Sequence, residues 1–174
     1  MRVLVTGAAG SGTSTLGEAL AQRWGVRFLE ADAYFWLPTQ PPFSAKREPA
    51  ERKALLVQAL EGHGSSVVAG SVIAWGPEIE DTFDLVVFLY VSTEVRLQRL
   101  KQREETLFGQ ANPAFLEWAS QYDAGPPEGR SLAKHNAWLA ARQCPVVRLV
   151  GDHPVTELLS RLVGPLSHTS FGMG

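Results

Sequence analysis

The sequence predicts a parallel three-layer α/β domain. Strand-like and helix-like segments alternate about five times along the 174 residues, an order that right-handed crossovers convert into a sheet with helices on both faces. The strand candidates at residues 66–71 and 85–91 are continuous apolar runs rather than alternating ones, as expected of strands covered on both sides. The first strand candidate passes straight into a helix through a glycine-rich turn, Gly7-Ala8-Ala9-Gly10-Ser11-Gly12.

In chain order, residues 3–6 form a short buried strand. After the turn, Leu16, Ala19, Leu20 and Arg23 recur at helical spacing over residues 15–24, and Gly25 stops that helix. A second strand at 26–29 delivers Glu30, Ala31 and Asp32 to its carboxyl end. Residues 33–47 are rich in aromatics and prolines and predict a structured loop. Pro49 is placed as the first residue of a helix reaching about residue 61, with Leu55, Leu56, Ala59 and Leu60 turned inward. After Ser92 a helix from about Thr93 carries Glu94 in its first turn, where the dipole favours acid, and continues toward Glu105. Residues 108–130 are the least regular stretch, with a short helix expected at 114–122. A helix at 131–142, a strand at 146–150 and an amphipathic helix opened by Asp152-His153-Pro154 complete the order, the last carrying Val155, Leu158, Leu159 and Leu162. One domain is expected over residues 1–165, with a flexible tail at 166–174.

Composition narrows the partners. Sixteen Lys and Arg against 18 Asp and Glu give a net charge of -2, so no bulk basic surplus recommends nucleic acid or a membrane surface. A small-molecule partner is expected, bound by a monomer or homodimer. Cys144 is the one cysteine, which excludes an internal disulfide and fits a reduced, cytoplasmic setting. The opening Arg2-Val3-Leu4-Val5 reads as a strand rather than a leader, and no apolar run reaches the roughly 20 residues of a membrane helix. His63, His135, His153 and His168 lack ligand spacing, so no metal site built on histidine is expected.

The turn after the first strand carries the strongest chemical signal. A phosphate cradle needs small residues so that backbone N–H groups curl around oxygens, and a helix beginning there so that its positive end faces the anion. Against the pattern GxxxxGK[S/T], Gly7, Gly12 and Ser14 match, but Thr13 stands where lysine is usual. Gly7, Ala8, Ala9, Gly10, Ser11, Gly12, Thr13, Ser14 and Thr15 are therefore the candidate phosphate-binding residues, with Ser14 placed to ligate Mg²⁺. A turn that merely joins strand to helix is the bland alternative. The dinucleotide pattern GxGxxG fits poorly, because Thr15 occupies its third glycine position.

On these residues the chain resembles the small P-loop kinases, the group that includes nucleoside monophosphate, shikimate and gluconate kinases. The GSGTST stretch is similar to the loop of some cytidylate kinases, which also carry Thr for the loop Lys. The resemblance is specific at residues 7–15 and extends, more weakly, through the βα order, the strand after Asp84 and the Gly151-Asp152-His153-Pro154 turn. It implies a P-loop NTPase fold with a parallel sheet of about five strands and a small lid, with ATP and Mg²⁺ as cofactors.

Other candidates follow. Asp32, just past the second strand, lies where open α/β sheets bind ligands, and its carboxylate suits the Mg²⁺ shell or the proton of an acceptor hydroxyl. Glu30 reads as strand-end solvent charge. Arg96, Arg99 and Arg103 share one helix face, which is either solvated surface or, as the resemblance implies for Arg99 and Arg103, a lid clamping the transferred phosphoryl group. Arg130 and Lys134 are further candidates from the irregular stretch. In the loop at 33–47, Tyr34 and Trp36 suit a ring substrate while Lys46 and Arg47 suit a phosphate, although a satellite hydrophobic cluster would use the same aromatics. Ser71, ending the third strand, and Trp75 are placed to line the same space, and the absence of an acid at Ser71 argues against a motor-type ATPase. The expected function is an ATP-dependent kinase acting on a nucleotide, nucleoside or similar hydroxyl or phosphate acceptor. The alternative is a nucleotide-binding sensor or interaction partner whose catalysis was weakened with the loss marked by Thr13.

Overall fold

Five strands form one parallel sheet in the order β2-β3-β1-β4-β5: β1 (Arg2–Gly7), β2 (Arg27–Glu30), β3 (Ser66–Ala69), β4 (Leu85–Tyr90) and β5 (Val146–Val150). The structure is a computed structural model that describes residues 1–125 and 129–166, with side chains to residue 162. Register runs Val3 to Val67 and Leu85 on either side of β1, so the central strand is paired along both edges.

The continuous apolar runs have a direct explanation. Leu4, Val68, Val86 and Phe88 point into one core, with Leu56 and Leu60 of α3 (Pro49–Glu61) and Trp138 and Leu139 of α7 (Leu132–Ala140). Their neighbours Val3, Val5, Val67, Leu85, Val87 and Leu89 point into the other, against Leu16 and Leu20 of α1 (Thr13–Trp24) and Leu158 and Leu162 of α8 (Val155–Leu166). Every position of a central strand thus faces a helix layer, and alternation would have left one layer without a core.

Several expectations change in detail. Residues 33–47 open with a short helix, α2 (Ala31–Phe35), and α4 (Pro77–Glu80) follows β3. Neither is long enough to show a helical period in sequence. Helix α5 (Thr93–Phe108) runs past Glu105 until Gly109 takes a left-handed φ of 79°. Leu55, expected inward, is an exposed large hydrophobic residue, because the buried stripe of α3 runs through Leu56 and Leu60. The irregular stretch holds α6 (Pro113–Ser120), capped by the Asn112 side chain on the N–H groups of Ala114 and Phe115. Apart from Leu166, which ends α8, the expected tail lies outside the described residues, as does His168.

The topology places the site. The chain leaves β1 toward β2 and leaves β4 toward β5, so adjacent strands part company at their carboxyl ends, where sheets of this kind bind ligands. No helix among the described residues is long and apolar enough to cross a membrane.

Candidate functional site

The loop after β1 is shaped by close approach. A Cβ on Gly7 would lie 2.5 Å from the Leu89 carbonyl oxygen, and one on Gly10 would lie 2.7 Å from that of Arg96, so the loop can press against β4 and α5 only with glycine at both positions. Gly10 and Gly12 also hold φ of 81° and 93°, which L side chains rarely adopt. Within the loop the Ser11 N–H and hydroxyl both donate to the Ala8 carbonyl, at 3.1 and 2.7 Å. Gly12 caps α1 without any side-chain hydrogen bond, leaving the donors of its first turn open to an anion.

The hydroxyl of Ser14 donates to Glu30 Oε1, a short contact that ties the helix start to the end of β2. A hydroxyl has one proton and two lone pairs, so this bond leaves its oxygen able to ligate a cation. Glu30 is half-buried, and burial pushes its carboxyl above the usual range. Its bond from Ser14 opposes that shift, Asp32 and Glu18 add to it, and nearby Arg103 opposes it. The acid touching Ser14 is therefore Glu30, which sequence reading assigned to solvent. Asp32 stands exposed in the first turn of α2, its backbone carbonyl accepting from the Trp36 N–H at 3.0 Å.

The arginines of α5 divide by environment rather than sharing one role. Arg96 is fully buried: Nε donates to the Val91 carbonyl at 3.1 Å, Nη1 to the Ala9 and Ala119 carbonyls at 3.3 Å each, and Nη2 to Thr93 Oγ1 at 2.9 Å. Arg99 donates to the Gly10 carbonyl at 3.3 Å and pairs with Asp152. Arg103 is exposed and close enough to Glu30 to favour its charged form. Of the two further candidates, Arg130 lies 6.0 Å from the Trp118 ring centroid and Lys134 donates to the Gly129 carbonyl at 2.9 Å.

After α2, residues 37–45 form a flap whose neck is closed by a Trp36–Lys46 bridge, with the Leu37 N–H on the Ala45 carbonyl at 2.9 Å. Trp36 meets Phe35 and Phe43 edge to face, at 4.9 and 6.0 Å between centroids, so much of the aromatic load serves packing. Tyr34 also packs against the core. Arg47 is engaged internally, donating to the Tyr34 carbonyl at 3.0 Å and pairing with Glu51 at 2.6 Å. Lys46 is exposed, and Ser71 is half-buried at the end of β3.

The residue that sequence reading missed is Arg52. Its guanidinium lies 4.7 Å from the Phe35 ring centroid and 5.0 Å from that of Trp75. It makes no hydrogen bond or ion pair among the described residues, and its Nε is buried without a partner. The signal was present: Arg52 lies one and two helical repeats before Leu56 and Leu60, a charge on the buried stripe of α3.

A glycine loop bent around the first donors of α1, at the carboxyl edge of a five-stranded parallel sheet, defines the P-loop class. Residues 3–111 match the family model described as an AAA domain, and the chain belongs to that family. It is 39% identical to "Uncharacterized protein YqaC" of Bacillus subtilis (strain 168), across 94% of this chain and 96% of that one. It is also 32% identical to a shikimate kinase of Thermosynechococcus vestitus, across 64% of this chain and 66% of that one. The fold is similar to the crystal structure of shikimate kinase from Bacteroides thetaiotaomicron, with a TM-score of 0.57, 20% identity and coverage of 96% and 98% of the two chains. The chain has the fold of the P-loop kinases.

Proposed function

We propose that this protein is a kinase that transfers a phosphoryl group from ATP·Mg²⁺ to the hydroxyl of a small anionic acceptor. The observation that carries the reading is the pairing, at one edge of the sheet, of an open phosphate cradle with an unpartnered half-buried guanidinium. The residues at Gly7 to Thr15 supply backbone N–H groups to the polyphosphate. Ser14 and Glu30, with Asp32 two residues on, form an all-oxygen set of the kind a magnesium ion takes when phosphates fill the rest of its shell. Bound there, the ion would offset charge on the transferring oxygens.

Asp32, exposed in the first turn of α2, orients the acceptor hydroxyl and takes its proton. Arg52, held between Phe35 and Trp75, recognises the acceptor's anionic group. Lys46, Tyr34, Trp36 and Ser71 complete the acceptor side in this reading, while Arg47 shapes the flap from within. Arg103 reaches the transferred group from α5, and Arg99 steadies the loop through the Gly10 carbonyl. An acceptor carrying both a hydroxyl and a carboxylate or phosphate suits this arrangement, whether a hydroxy acid or a nucleotide. The likeness to shikimate kinases supports the first of these.

The test is turnover. Purified protein with ATP and Mg²⁺ is offered hydroxy acids, sugar acids, nucleotides and neutral nucleosides, and ADP release is followed. Stimulation by an anionic acceptor, with neutral analogues inert, is the expected result. The loss of the loop lysine at Thr13 favours one competing reading, a nucleotide-binding sensor, and nucleotide binding with no stimulation by any acceptor would select it.

A further inference from the structure

The phosphate loop lacks its lysine, yet a positive charge lies directly behind it. Arg96 is fully buried, and among the described residues its guanidinium makes four hydrogen bonds, all to neutral oxygens, one of them the Ala9 carbonyl inside the loop. The Tyr122 ring covers it, with the guanidinium carbon 5.1 Å from the centroid. Among the described residues the acid acting on it is Asp123, but that carboxylate accepts from Tyr90 and Thr93, at 3.1 Å each, rather than from the guanidinium. The two other arginines of α5 differ. Arg99 is neutralised by Asp152, and Arg103 is exposed to screening water.

Burying a cation without a bonded counter-ion is costly, and an apolar side chain of similar length would fill the same space at less cost. The cavity beside it, about 10 Å³ and lined by Ala9, Trp118, Ala119, Tyr122 and Arg130, is too small for any ligand that would explain the charge. What the guanidinium does face is the back of the loop, which it reaches through Ala9, while Gly10 lies against its own backbone carbonyl.

We propose that Arg96 is a positioning residue that replaces the loop lysine from behind: its buried charge fixes the loop at Ala9 and supplies the positive potential that Thr13 does not. This rests on the nucleotide-binding reading above. The guanidinium never touches phosphate. It polarises the loop's peptide groups and raises the potential in the cradle, where low surrounding polarity limits screening.

Isothermal titration with ADP·Mg²⁺ on the full chain tests it, with thermal melting to confirm folding. Arg96→Met is expected to lose affinity tenfold or more, and adding Thr13→Lys to that variant is expected to recover most of the loss. A loss that the added lysine does not recover, or no loss at all, overturns the proposal and leaves Arg96 as architecture. Should Arg96→Met fail to fold, Thr13→Lys in the otherwise unaltered chain decides. A gain of less than threefold is expected, because the cradle already has its charge, and a larger gain overturns the proposal. If the unaltered chain binds neither ADP nor ATP at millimolar concentration, the nucleotide reading itself fails and this one with it.

Discussion

Two arginines, one on each side of the site, show how differently the same guanidinium is treated in one fold. Behind the phosphate loop, Arg96 has four hydrogen bonds and no exposure. On the proposed acceptor side, Arg52 has two aromatic rings, a buried Nε and no side-chain hydrogen-bond partner among the described residues. A satisfied buried donor is fixed in place before any ligand arrives, whereas an unsatisfied one costs on the order of 1–3 kcal/mol until a ligand completes it. The contrast separates the half of the site that is built in advance from the half that waits for its substrate.

The hardest blow to the built half is Gly10→Val. The new Cβ would meet the Arg96 carbonyl at 2.7 Å on a φ of 81°, so the loop must leave α5. ADP affinity should fall by about 100-fold or more, the scale of a backbone clash that cannot relax. Near-normal titration would mean the loop does not cradle the phosphates.

His135 belongs to the same half. It is fully buried, shares a 2.6 Å hydrogen bond with the Tyr122 hydroxyl and packs on Phe88. Burial first, and Arg130 second, push its pKa down to about 4 from 6.5. The unfolded chain takes up this proton first, so stability is present above pH 6.5 and is lost as pH falls toward 4, by on the order of 3 kcal/mol. In His135→Gln that window should flatten in denaturant midpoints measured from pH 7 to 4.5, and an unchanged slope would show that other groups carry the acid sensitivity.

On the waiting half, Arg52→Met should raise the acceptor KM by about tenfold while the melting temperature stays level or rises, since an orphaned donor is removed. The opposite pattern, lower stability with unaltered KM, would make Arg52 a purely structural group and dissolve the comparison. Glu30→Gln should have the smallest effect on the free protein. Its carboxyl is pushed up by burial, so its ionisation costs folding stability as pH rises past 4.5. Removing that cost should lift the melting temperature at pH 7 by about one degree, an effect set by partial exposure. In the same variant the Mg²⁺ concentration needed for half-maximal turnover should rise, and an unshifted requirement would place the metal elsewhere.

Much of the architecture was legible because it repeats. The apolar strands, the Gly25 stop and the Pro49 start each state their role within a few residues. The helices α2 and α4 were not, being too short to complete two turns of pattern. For the site, the loop was readable as a local motif, but Glu30 gained its meaning only when β2 brought it beside Ser14, 16 residues away in sequence. Arg96, Arg99 and Arg103 read as one face because spacing records direction and not depth. Arg52 was visible as a charge on an apolar stripe, yet such a residue commonly reaches out to water, and only the rings of Phe35 and Trp75 reveal that this one stays in.

The flap at residues 37–45 is tied off at its neck by the Trp36–Lys46 bridge and by the Arg47 N–H on the Phe35 carbonyl at 2.8 Å, with Phe43 56% exposed near its tip. A segment knotted at its base behaves like an interchangeable cartridge. Its tip can lengthen, shorten or change chemistry while the neck holds β1 and α1 undisturbed.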